Sequence, residues 1–319
     1  MACYFVSGAL GCIGAWTVRL LMEKGDEVVA FDLRGASDHR LRLMLSDHQI
    51  QDIVRIDGDV TDLTQIERAL DEHGVTDVIH LAALQVPACS ANPPLGAAVN
   101  VVGTTNVFEA VKRRLDTIDR VVYASSAAVY GANSSPREDS APKPDTHYGV
   151  FKCANENTAS IYWKTEGVTS VGLRPYVVYG PGRDQGLTSA PTAALLAASR
   201  GQRFHIPWGG RVQFHYAPDV AQALVMATRS SYQGALVANF PGRSDSMNAF
   251  VASICSAVGN ERGALVTHED DPLPFPAELE ATACEAALGP IHQTRLADGV
   301  KATIEMFQRR LPDAPGGPT

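Results

Sequence analysis

The first 175 residues alternate between short runs rich in β-branched and aromatic residues and longer segments whose apolar positions recur at helical spacing. Strand-like runs fall at 4–7, 27–32, 52–57, 78–82, 120–125 and 170–174. Helical segments at about 13–24, 62–73, 95–115 and 147–166 lie between them. Each helical segment is long enough to carry the chain back across a sheet, so successive strands run parallel rather than as hairpins. The pattern predicts an α/β fold built on a doubly wound, Rossmann-type parallel sheet. Beyond residue 174 the alternation weakens. Helices at about 189–200, 218–229 and 246–258 are separated by Gly- and Pro-rich stretches such as 179–182, 208–210 and 240–242. Irregular insertions of this kind build substrate pockets, so a smaller C-terminal α/β substrate domain is expected. The expected division gives a cofactor domain of 1–175 plus about 212–240, a substrate domain of 176–211 and 241–311, and a flexible tail at 312–319.

Composition narrows the function classes. No apolar run approaches the roughly 20 residues of a membrane span, and the N-terminus enters a strand with no signal-like core ahead of it, so a cytoplasmic protein with no membrane partner is expected. The net charge of −8, without a Lys/Arg cluster among aromatics, argues against nucleic acid as a partner. The six cysteines (Cys3, Cys12, Cys89, Cys153, Cys255, Cys284) are scattered without metal-ligand spacing and read as reduced thiols; no metal is expected.

Gly8, Gly11 and Gly14 lie between the first strand and the first helix. Glycines there let the backbone turn tightly and approach a pyrophosphate, which rests on N–H groups at the helix N-terminus. Asp32 ends the second strand, where a carboxylate can accept hydrogen bonds from ribose hydroxyls and repel a 2′-phosphate; NAD is therefore expected over NADP. Arg34 could either pair with such a phosphate or stack on adenine. Asp59 and Val60, after the third strand, are candidates for the adenine side, and Asp62 for the cap of the next helix.

Tyr148 and Lys152 are four apart at the start of a helix and project from one face. Ser125 and Ser126 end the fifth strand, the sheet edge at which open α/β folds bind ligands. Removing a proton from an alcohol as hydride leaves requires a base, and free tyrosine, with a pKa of about 10, is a poor one. A nearby ammonium and the positive nicotinamide would lower that value. Lys152 is thus expected to tune Tyr148, Ser126 to hold the reacting oxygen, and Ser125 to support the site or touch the cofactor.

The ordered motifs Gly8-Ala-Leu-Gly-Cys-Ile-Gly14, Gly58-Asp-Val-Thr-Asp62, His80-Leu-Ala-Ala83, Asn100-Val-Val-Gly-Thr104, Ser125-Ser-Ala-Ala-Val-Tyr-Gly131, Tyr148-Gly-Val-Phe-Lys152 and Val178-Tyr-Gly-Pro-Gly-Arg183 are followed by Phe214, His215 and Asp219-Val-Ala221. Over roughly residues 4–230 the chain resembles the extended short-chain dehydrogenase/reductases, the NAD-dependent epimerase/dehydratase family. The resemblance implies bound NAD, a homodimer formed through helices at about 95–115 and 147–166, and catalysis by Ser126, Tyr148 and Lys152. It places Leu81, Ala82 and Ala83 on the nicotinamide side with Asn100 in support. Cys12, Ile13, Ser125, Tyr176 and Val178 complete the expected cofactor contacts; Gln85, Ser126, Ala127, Tyr148 and Arg183 are the expected substrate contacts. Ser126-Ala-Ala128 stands where the family's dehydratases carry Thr-Asp-Glu, which disfavours dehydration for want of an acid. Val177 and Val212-Gln213 stand where many nucleotide-sugar enzymes hold a diphosphate, leaving Arg183, Arg203 and Arg211 as alternative clamps. The expected activity is oxidation of a secondary hydroxyl on a small sugar, lactone or sugar acid. A nucleotide-sugar 4-epimerase is the alternative, and a non-enzymatic NAD sensor a third reading.

Overall fold

The computed structural model describes residues 2–132 and 137–310. The expected tail at 312–319 lies outside the described residues. The main sheet has seven parallel strands: β1 (Cys3–Ser7), β2 (Glu27–Asp32), β3 (Val54–Asp57), β4 (Asp77–His80), β5 (Arg120–Ala124), β6 (Thr169–Arg174) and β10 (Ala235–Asn239). Their order is β10-β6-β5-β4-β1-β2-β3. The chain reverses direction across the sheet between β1 and β4, which opens a crevice beyond their C-terminal ends. Ser7 is in register with both Phe31 and His80, so β1, β2 and β4 end together at that crevice.

Both faces of the sheet are covered, and β1 and β6 are therefore buried along their whole length instead of alternating with polar residues. Tyr4 and Val6 point into one core layer with Val28, Ala30, Ile79 and Val171; Phe5 points into the other with Val29, Phe31, Val78 and Val121. The first of these layers continues into the C-terminal half through Phe214, Phe250, Ile304 and Phe307.

A smaller sheet joins β7 (Val177–Tyr179), β9 (Arg211–Tyr216) and β11 (Ser244–Ser246), and β8 (Phe204–Ile206) pairs with β12 (Val266–His268). β9 therefore sits with the small sheet, while the helix Ala217–Thr228 packs on the helix Cys12–Glu23 and leads back to β10 in the main sheet.

Several elements differ from the sequence pattern, and three of them shape the sheet, the site or the C-terminal half. The expected helix at 95–115 is a helix Pro93–Ala97, a π-helical stretch Ala98–Val102 and a helix Gly103–Lys112. Insertion of a π turn widens the spiral at Asn100, a distortion that commonly accompanies function. β10 was not expected, because Ala235-Leu-Val-Ala-Asn239 is short and bounded by glycines on both sides. The helix Leu296–Arg310 was also not expected; its buried Val300, Thr303, Ile304 and Phe307 recur at i, i+3, i+4 and i+7 within an otherwise polar segment.

Candidate active site

The glycine loop follows β1. Gly8 has φ +69, and a Cβ there would lie 2.6 Å from the backbone N of Ala82, so both handedness and close approach demand glycine. At Gly14 a Cβ would meet the carbonyl oxygen of Gly8 at 2.1 Å, so helix and loop pack in backbone contact. The helix Cys12–Glu23 starts after Gly11, which supplies no side-chain cap. Its first N–H groups are thus left for a ligand, beside a cavity lined by Gly11, Cys12 and Ile13.

Asp32 lies in the same wall at the end of β2, its two carboxylate oxygens accepting Leu10 N–H and Leu33 N–H, each at 2.8 Å. Asp59, Val60, Leu81, Ala82, Ala83 and Val178 also line the cavity. Arg34 does not: its side chain is 89% exposed and turns to Asp57 at 3.8 Å. Nothing in the local pattern singles out Arg40, yet this is the guanidinium at the loop, donating from Nη1 to the Leu10 carbonyl at 2.9 Å.

The catalytic candidates meet at the far end of the same cavity, which measures about 510 Å³. Ser126 follows β5 and accepts Ala128 N–H at 3.1 Å, fixing a short turn. Thr146 caps the helix His147–Glu166 by accepting Gly149 N–H at 3.0 Å, which puts Tyr148 in the first turn. A Cβ on Gly149 would lie 2.2 Å from the Ala128 carbonyl, so the helix start presses directly on the Ser126 turn. As a result the Ser126 side chain comes close to the Tyr148 hydroxyl. Lys152 is buried one turn below, with Nζ donating to the Ala124 carbonyl at 2.7 Å and lying 5.5 Å from the Tyr148 ring centre.

Burial pushes the Tyr148 phenol above its ordinary value; the nearby Ser126 hydroxyl and the Arg183 charge pull the other way without cancelling it. Among protein groups, then, the expected lowering by Lys152 does not prevail. Burial also holds Lys152 down at about 8, against an opposing pull from Glu156.

A buried polar network that sequence reading missed supports these groups. Glu156 accepts Ser125 Oγ–H at 2.5 Å and takes two hydrogen bonds from Arg174, both 2.7 Å; Arg174 also donates to Tyr130 at 2.7 Å. Glu156 stands four residues after Lys152, so helical spacing was the available signal. Asn100 is buried outside the cavity wall and acts as a support: it accepts Leu84 N–H at 2.7 Å and donates to the Leu84 carbonyl at 2.9 Å, pinning the loop after β4.

Gln85, Ala127, Tyr176, Arg183, Thr188 and Phe275 complete the cavity wall. Arg183 donates to Gln85 Oε1 at 3.2 Å and Thr188 Oγ1 at 3.3 Å. Arg203 and Arg211 do not reach this wall; Arg211 is exposed and donates to the Ser244 carbonyl at 2.5 Å. Val177 and Val212 are buried in the apolar core.

Comparison with known proteins agrees with this arrangement. The family model described as NAD dependent epimerase/dehydratase family matches residues 4–237. A UDP-glucose 4-epimerase of Mycolicibacterium smegmatis is 28% identical over 96% of this chain and 98% of its own length. UDP-glucuronate 4-epimerase 6 of Arabidopsis thaliana is 32% identical over 55% of this chain, and the match spans only 39% of that plant protein. Among solved structures, MoeE5 in complex with UDP-glucose and NAD superposes with a TM-score of 0.79 at 28% identity, covering 97% of this chain and 99% of that one. An L-threonine dehydrogenase from Clostridium difficile shares the fold, with a TM-score of 0.81 at 22% identity over 97% and 98% of the two chains. With the family model covering most of the chain and the fold matched end to end, the protein belongs to the NAD-dependent epimerase/dehydratase family of enzymes, the extended short-chain dehydrogenase/reductases.

Proposed function

We propose that this chain is an NAD-dependent dehydrogenase that oxidises a secondary hydroxyl of a small sugar-like substrate through Ser126, Tyr148 and Lys152. The observation that carries the reading is the shape of the cavity. One end is a glycine cradle with uncapped helix N–H groups and the Asp32 carboxylate, which fits a dinucleotide carrying a free ribose. The other end closes on Tyr176, Thr188 and Phe275, while Arg203 and Arg211 stand outside and Val177 and Val212 are buried in the core. Of the three arginines that could clamp a nucleotide diphosphate, this leaves only Arg183 in the cavity wall.

Bound NAD would supply the hydride acceptor. The chain's own groups handle the oxygen and its proton. The Tyr148 oxygen takes the hydroxyl proton, and Ser126 Oγ steadies the oxygen as it becomes a carbonyl. Lys152 provides positive charge beneath the phenol ring. Ser125 belongs to the supporting network rather than to the reacting atoms, since its hydroxyl is committed to Glu156.

The second reading is a nucleotide-sugar 4-epimerase working with the same three residues, favoured by the end-to-end likeness to a UDP-glucose 4-epimerase. Acid release of the purified protein separates the two. Near-stoichiometric NAD in the supernatant supports the epimerase; protein that emerges free of dinucleotide and needs added NAD for turnover supports the dehydrogenase. A homodimer is also proposed, because Leu95, Val102, Val150 and Ile161 leave about half of each residue exposed on the two helical segments expected to pair. Sedimentation velocity tests it, a monomer at micromolar concentration being the contrary result.

A further inference from the structure

We infer that Arg183 is a cofactor clamp: its guanidinium grips the pyrophosphate of the dinucleotide from the side opposite the glycine loop. This rests on the NAD reading above and reassigns a residue that the sequence pointed to substrate.

The loop that carries Arg183 is laid directly on the glycine loop. The Pro181 carbonyl accepts Trp16 Nε1–H at 2.9 Å and lies 3.9 Å from Cys12 Sγ. Arg40 ties the two loops together, donating from Nη1 to Leu10 O at 2.9 Å and from Nε to Gly182 O at 3.1 Å. Asp184 closes the arrangement by accepting Arg40 Nη2–H at 2.6 Å and pairing with His39 at 2.7 Å. Arg183 sits between these anchors, and its side chain lines the same cavity as Cys12 and Ile13, whose N–H groups at the helix start have no side-chain cap.

Its bonding is incomplete for a charge in such a place. The Nη groups make only two long hydrogen bonds to neutral oxygens, at 3.2 and 3.3 Å, and the buried Nε meets no acceptor. Among the described residues no carboxylate pairs with it, whereas the neighbouring Arg40 is fully engaged with Asp184. A half-buried guanidinium without a counter-ion, in one cavity with the backbone N–H donors of a helix start, is complementary to a dianionic diphosphate bound there. Its field also reaches Cys12 on the glycine loop and Tyr148 at the reacting end, which places it between the two halves of a dinucleotide. With Arg183 engaged by the cofactor and Arg40 by Asp184, no free guanidinium remains in the cavity wall among the described residues, which suits a neutral sugar or lactone better than a sugar acid.

The test is equilibrium binding, independent of turnover. Dissociation constants for NAD, ADP-ribose and adenosine are measured by calorimetry and ligand-observed NMR on wild type, Arg183→Gln and Arg183→Lys, with circular dichroism confirming that each is folded. Loss of a charge-assisted contact predicts that Arg183→Gln weakens NAD and ADP-ribose by about tenfold or more. Adenosine, which has no phosphate, should be unaffected, and Arg183→Lys should fall between. Unchanged NAD and ADP-ribose affinity, with a raised KM for an acidic substrate, would move the anion site to the substrate and overturn the inference. So would equal weakening of all three ligands, which marks a purely structural residue. Failure of the wild-type protein to bind NAD or ADP-ribose would instead remove the NAD reading itself.

Discussion

Replacing Glu156 by Gln tests the buried network that supports the catalytic helix. Glu156 and Arg174 are 7% and 5% exposed, and their two 2.7 Å hydrogen bonds are joined by the 2.5 Å bond from Ser125. Glutamine keeps the shape but removes the negative charge, leaving the Arg174 guanidinium in the interior without its ion. Breaking one side of a buried pair costs about 3–5 kcal/mol; retention of an amide acceptor sets the expectation at the lower end, about 3 kcal/mol. The double variant Glu156→Leu with Arg174→Met removes both charges and should lose much less than the sum of the single losses. Urea unfolding followed by the fluorescence of Trp16, Trp163 and Trp208 measures each difference. Because Glu156 also opposes the burial that depresses Lys152, Glu156→Gln should lower the Lys152 pKa below its value of about 8. A loss under about 1 kcal/mol, or a double variant as damaged as the two singles combined, would show that the pair contributes little and refute the reasoning.

Tyr148→Phe should abolish turnover while leaving the NAD dissociation constant within about twofold, since only the proton-transfer oxygen is removed; comparable activity in the variant would exclude Tyr148 as the base. Asp32→Ala should weaken NAD by about tenfold and NADP much less, and equal loss for both in parallel titrations would remove Asp32 from the ribose. For pH, the folded Lys152 value of about 8 lies below the ordinary lysine value of 10.5. The folded state therefore binds this proton more weakly, so Lys152 opposes folding below pH about 8 and the penalty lifts as pH rises towards the unfolded value. In the oxidation direction kcat/KM should climb with pH up to about 8, because the raised Tyr148 pKa makes its base form scarce, and then flatten as Lys152 loses charge; a flat profile below pH about 8 contradicts this.

The six leading strands were legible because burial on both faces leaves continuous apolar runs, and the glycine loop because Gly8 and Gly14 are forced by backbone contacts that no side chain could survive. Tyr148 and Lys152 were legible from a single helical turn, and the structure brings both to the cavity with Ser126. What the sequence hid depends on contacts between distant segments. Arg40 acquires meaning only because Gly182 and Asp184 fold back onto it, over 140 residues away. Arg34, nearer to Asp32 in sequence, turns outward because Asp57 on the adjacent β3 offers a carboxylate. The break at Asn100 likewise has no periodic signature: Ala98-Val-Asn-Val-Val102 reads as continuous helix, while in the fold Asn100 sits in a π turn and serves Leu84 as both donor and acceptor. Phe275 was hidden in a Pro-rich segment whose role as a cavity wall arises from its packing against Tyr176.

The dehydrogenase and epimerase readings are separated by mixing the purified protein with free NAD and, in turn, neutral sugars, lactones, sugar acids and UDP-sugars, following absorbance in the NADH band and product by chromatography. Stoichiometric NADH with a free sugar or lactone, absent in Tyr148→Phe, is the predicted result. Interconversion of a UDP-sugar with no net NADH, and no oxidation of any free sugar, would contradict the dehydrogenase reading and establish the epimerase.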